Sequence, residues 1–141
     1  MANIVVVSLE RDAYYAASVV DLLRDCGSYT VLGVTSVQVL SGAIAWADML
    51  VFWDTPISLL SFAMEARSSI PILVLVPGII SDFEEKFPQT NVHFESNALC
   101  AGRDFLDRVQ NLCPHDQNRT LGAHFCYRAP RSFNVIILLY E

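Results

Sequence analysis

Five short segments that read as strands constrain this chain more than any other feature: residues 4–7 (Ile-Val-Val-Val), 29–34, 49–53, 72–76 and 91–95. The first is a β-branched run long enough for a strand buried on both faces and too short for a helix, and residues 49–53 read as a buried strand as well. Between the segments the apolar spacing turns helical. In residues 14–26, Val19, Val20, Leu22 and Leu23 form an apolar stripe, while Asp21, Arg24 and Asp25 face water. Asp12 stands where an N-cap belongs, and Gly27 where a helix needs a left-handed C′ residue. Further helices are predicted at 37–46, where Gly42 weakens the pattern, and at 58–67, 81–87 and 103–112. Pro71 opens the fourth strand and Pro77-Gly78 stops it. Strand and helix alternate five times with short connections, which predicts an α/β fold. The expected architecture is a doubly wound five-stranded parallel sheet with helices on both faces.

The organisation changes after residue 112. Residues 114–131 are polar and aperiodic, and residues 133–140 form an apolar run, broken only by Asn134, close to the end of the sequence. The chain therefore divides into an α/β domain, 1–112, and a C-terminal extension, 113–141. Two readings of the apolar run stay open. It is an extra strand on the sheet edge, or a strand that pairs with another protomer, because an unpaired edge is a template for association.

Composition excludes several classes. Of 141 residues, 53% are hydrophobic and 17% charged, which is too much apolar surface for a disordered chain. The formal net charge is −6, which argues against a nucleic-acid or anionic-membrane surface. No stretch approaches the roughly 20 apolar residues that a transmembrane helix requires. The first residues lack the basic region of a signal peptide, so a cytoplasmic location with reduced cysteines is expected.

Ligands of a doubly wound sheet bind beyond the carboxyl ends of its strands. Those loops fall at residues 8–12, 35–37, 54–57, 77–82 and 96–100. The first contains no glycine, and neither G-x-G-x-x-G nor G-x-x-x-x-G-K-[ST] occurs anywhere. Dinucleotide and P-loop sites need those glycines so that the backbone can approach phosphate. No nucleophile motif is present either, and a non-catalytic protein is expected.

The hydrophobic first strand with its acidic loop, the stretch D-M-L-V-F-W-D-T-P (48–56) and the stretch P-I-L-V-L-V (71–76) resemble the receiver domain of bacterial response regulators. The likeness covers about residues 2–112. It implies a flavodoxin-like fold with strand order 2-1-3-4-5, a phospho-acceptor at Asp54 and bound Mg²⁺. It also implies a protein partner met through about residues 81–112, and a homodimer. The sequence departs from that pattern at four places. The acid-pair positions after the first strand hold Ser8 and Leu9, with Glu10 and Asp12 displaced into the loop. Asp54 stands closer to Pro56 than the family's spacing. The hydroxyl position is Val76. The lysine position falls near residues 95–97, whereas the only lysine among nine basic residues is Lys86.

Phosphoryl transfer to a carboxylate depends on a metal ion and a cation near the equatorial oxygens. The chain is therefore read as a receiver-like signalling module that has lost phosphorylation. A working receiver using Asp54 with Mg²⁺, held by Glu10, Asp12 and Asp54, is the alternative, and a small flavodoxin-like ligand binder is the third reading. Asp54 as a strand-end residue capping the next turn, and Asp12 as a helix cap, are the structural counterparts.

Two further groups invite readings. Cys113, His115, His124 and Cys126 form a C-x-H … H-x-C pattern whose soft ligands suit Zn²⁺, or a chance cluster in which oxidation joins Cys113 to Cys126. Tyr14, Tyr15, Trp46 and Trp53 are either core residues or aromatic anchors for a partner.

Overall fold

The computed structural model describes residues 1–54, 57–77, 80–97 and 103–113, together with the backbone of 135–138. The strands are β1 (Ala2–Val7), β2 (Tyr29–Val34), β3 (Met49–Trp53), β4 (Ile72–Val76), β5 (Val92–Ser96) and β6 (Val135–Leu138). The helices are α1 (Ala13–Asp25), α2 (Val37–Ala43), α3 (Ile57–Ala66), α4 (Ile80–Lys86) and α5 (Arg103–Leu112). All strand pairs are parallel. The spatial order is β5-β4-β3-β1-β2-β6, which is the expected 2-1-3-4-5 sheet with one more strand outside β2. The edge-strand reading of the apolar run is thus the one observed, since β6 pairs with β2 of its own chain, Val31 opposite Val135.

Strand alternation sorts the side chains into two cores. Ile4, Val6, Val31, Met49, Val51, Leu73 and Leu75 face one side, where Ala16, Val19, Val20 and Leu23 of α1 and Phe105 and Val109 of α5 cover them. Val5, Val7, Leu50, Phe52, Ile72, Val74 and Val76 face the other side, under Leu40 and Ala43 of α2 and Leu59, Leu60 and Ala63 of α3. A parallel sheet needs both faces covered, and the continuous apolar strands follow from that need. Phe52 and Phe105, one in each core, are fully buried. Truncating either to alanine costs about 3–5 kcal/mol. A partly exposed ion pair contributes about 0–1 kcal/mol, so apolar burial decides this fold.

The ends of the helices show local causes. Gly27 has φ 78°, and its N–H donates to the Arg24 carbonyl at 3.0 Å, which closes α1. Ser36 caps α2, its hydroxyl oxygen accepting from the Val39 N–H at 3.2 Å. α2 stops at Ala43, three residues before the expected end at 46. The Arg67 guanidinium donates to the carbonyls of Ile44 (2.9 Å) and Ala47 (2.5 Å) and holds the chain there in a turn. α4 is the loosest helix and buries no residue fully; Phe83 and Phe87 rest on Phe94 with ring centroids 6.1 and 6.2 Å apart. Among the described residues no helix is long and apolar enough to cross a membrane.

Gly42 lies inside α2, and a Cβ built on it meets no atom within 4 Å. Glycine in a helix interior is less favourable than alanine by roughly 0.5–1 kcal/mol. Gly42→Ala is therefore expected to stabilise the protein by about that amount, read as a rise in the urea midpoint at unchanged slope.

Candidate functional site

The strand order reverses between β1 and β3, and the crevice beyond their carboxyl ends is where this architecture places ligands. The first residue past β1 is Ser8, which is fully buried. Its N–H donates to the Val34 carbonyl at 3.1 Å and its hydroxyl to the Leu9 carbonyl at 3.1 Å. Leu9 packs against the α2/α3 core. The two positions where an acid pair would stand thus serve the fold.

Residues 10–12, expected as a loop, form one 3₁₀ turn. Glu10 is exposed. Asp12 occupies the position preceding α1 but does not cap it, and this corrects the expected role. Its backbone (φ −102°, ψ 8°) is not extended, so the carboxylate makes no capping hydrogen bond. Asp12 Oδ2 is buried without a hydrogen bond, and its charged neighbour is the Arg11 Nε at 3.8 Å.

Asp54 follows β3 directly. Its N–H donates to the Leu75 carbonyl at 2.7 Å, continuing the ladder by one rung. Its φ is 65°, the single non-glycine residue in the left-handed region among the described residues. Aspartate tolerates that conformation better than most residues, because its short polar side chain bonds locally. Among the described residues, no three His, Cys, Asp or Glu side chains gather closely enough to hold a metal ion. Glu10, Asp12 and Asp54 are all described, and they do not form such a group. Of the proposed zinc ligands, Cys113 is buried at the end of α5, while His115, His124 and Cys126 lie outside the described residues.

The end of β5 carries a different arrangement from the one a receiver would need. Val92 and Phe94 point into the α2/α3 core, so His93 and Glu95 point toward α5. There Glu95 Oε2 meets Arg108 Nε at 3.0 Å. The position expected to bring a cation brings an acid, and an arginine from α5 neutralises it. Lys86, the only lysine, stands in the last turn of α4. Burial pushes the His93 imidazole below its ordinary pKa; Arg108 pushes the same way and Glu95 opposes. Burial also raises the Cys26 thiol above its ordinary value, which keeps it protonated.

The aromatic residues, core or anchors by sequence, make the most distinctive contacts at this end of the sheet. The rings of Tyr15 and Trp53 stack with centroids 5.7 Å apart and planes 6° from parallel. Tyr14 meets Tyr15 edge-on at 5.6 Å. The first turn of α1 and the last residue of β3 are thereby joined across the β1/β3 switch point. Tyr14 is 80% and Tyr15 54% exposed, whereas Trp53 is half-buried against the α1/α5 core. Trp46 lies elsewhere, at an apolar groove of about 610 Å³ between β2 and α2 whose lining includes Thr30, Leu32, Val39 and Gly42.

No family model matches the sequence, and no curated protein matches it.

Two outcomes follow from this geometry. At Asp54, asparagine keeps the left-handed backbone accessible, whereas a β-branched residue is strained there. Asp54→Val is expected to lose roughly 1–2 kcal/mol more stability than Asp54→Asn by urea denaturation. At His93 the folded state favours neutral imidazole, so the unfolded chain binds more protons once the pH falls below about 6.5. The stability held by neutral His93 is present above that pH and is lost as the pH drops through the folded-state value. His93→Gln is expected to lose less stability than the parent between pH 7.5 and 5.5, by urea denaturation at both.

Proposed function

We propose that this chain is a receiver-like module that works by binding a protein partner and not by phosphoryl transfer. The observation that carries the reading is the Glu95–Arg108 ion pair at the end of β5. A phosphoryl group arriving at Asp54 would need a cation from that strand end, and the cation there is already paired. Ser8 and Leu9, engaged in the fold, leave Glu10 and Asp12 as the nearby carboxylates, and these do not converge with Asp54 into a three-acid set. A single carboxylate with neither aid gains little rate, because positioning and charge neutralisation supply most of this catalysis. The strand order and the helix placement support the receiver-like part of the reading.

The test is incubation with acetyl phosphate and Mg²⁺, and separately with beryllofluoride and Mg²⁺. The expected outcome is no gain in mass and no change in the amide resonances around Asp54. A phosphoryl adduct on Asp54, lost in Asp54→Asn, would establish the phosphorylatable receiver instead.

A further inference from the structure

We infer that the Tyr14–Tyr15–Trp53 face is a docking surface for an arginine-bearing basic segment of a protein partner. The inference rests on the protein-binding reading above and names its surface and chemistry.

The first observation is the ring arrangement. Two large aromatic side chains are left in water beside each other, Tyr14 at 80% and Tyr15 at 54% exposure. They are nevertheless packed on neighbouring rings. Tyr15 stacks on the half-buried Trp53, and Tyr14 leans edge-on against Tyr15. Rings already packed on one another lose less conformational freedom when a partner arrives than isolated ones. Tyrosine and tryptophan also supply most of the binding energy where they anchor interfaces.

The second observation is charge. Tyr14, Ser18, Asp21 and Asp25 are exposed and follow one another along one stripe of α1. The stripe runs for about 16 Å, aromatic at its start and acidic at its end. Glu10 is exposed just before it, and the whole chain carries −6. Arg11, 76% exposed, is a cation beside this face, with its Nε 3.8 Å from Asp12 Oδ2; Arg103, at the start of α5, is also exposed. An aromatic face continuous with carboxylates is the environment a guanidinium prefers. The guanidinium stacks flat on rings, is weakly hydrated and pairs with carboxylates through two N–H groups. An ammonium, more strongly hydrated and without a flat face, fits less well.

The experiment uses the full chain and three fluorescein-labelled probes at physiological salt: nona-arginine, nona-lysine and nona-serine. Binding is followed by fluorescence anisotropy and mapped by amide chemical shifts. Nona-arginine is expected to bind at least fivefold more tightly than nona-lysine, with shifts concentrated at residues 10–18 and at Trp53. Tyr14→Ala/Tyr15→Ala is expected to weaken nona-arginine at least tenfold. Tyr14→Phe/Tyr15→Phe, which keeps the rings, restores binding, and Arg11→Gln tightens it. Glu84→Gln/Glu85→Gln, which removes two charges from α4, leaves it unchanged. Circular dichroism of each variant confirms the fold.

Absence of nona-arginine binding, or equal binding by the double alanine variant, would overturn the inference. So would an equal loss on changing Glu84 and Glu85, which would reduce the effect to net charge. Shifts confined to 80–97 and 103–112 would overturn this surface while supporting the protein-binding reading. A beryllofluoride response at Asp54 would overturn that reading while leaving the anisotropy result intact.

Discussion

Everything in this structure depends on a parallel sheet having two faces to cover. Side chains alternate along each strand, so a run such as Ile4-Val5-Val6-Val7 must deliver Ile4 and Val6 to one core and Val5 and Val7 to the other. Helices have to arrive on both sides. The right-handed preference of strand–helix–strand crossovers then fixes which helix goes where. α1 and α5 lead the chain toward β2 and β6 on one face; α2 and α3 lead it the other way on the opposite face. The reversal between β1 and β3 is a by-product of that arrangement, and it opens a crevice at which distant segments meet.

Four residues at the carboxyl ends of the strands have packing or pairing roles. Ser8 is tied into the backbone beside β2. Leu9 is packed, Val76 is core, and Glu95 neutralises Arg108. Beside them stands a stacked Tyr–Trp pair with a second tyrosine edge-on to it.

The strands were legible in the sequence because their signal is local. A both-faces-buried strand is a short apolar run with breakers at its ends, and the observed bounds fall within two residues of those expected. Gly27 was legible for the same reason, since a residue needing positive φ at a helix end is almost named by its type. The end of α2 was not, because the turn at 44–47 is held by Arg67, about twenty positions later. Asp12 shows the limit of a propensity argument. It has the right residue type at the right position, but the preceding 3₁₀ turn rotates its backbone away from capping geometry. The Tyr15–Trp53 stack and the Glu95–Arg108 pair each join separate elements, so composition and periodicity could not reveal them. A partial signal was present in the alternation of β5, which puts His93 and Glu95 on the α5 side.

The sixth strand has a kinetic side. β1 finds β2 across a loop of fewer than thirty residues, whereas β6 finds β2 only after the chain has crossed the whole sheet, about a hundred positions later. Loop-closure entropy grows slowly with length, so the longer closure costs about 1 kcal/mol more, set against four residues of pairing. The last rung of this sheet is the one least favoured by chain connectivity. Until it forms, β2 is an open edge, and its pairing groups stay available to any strand that reaches them first.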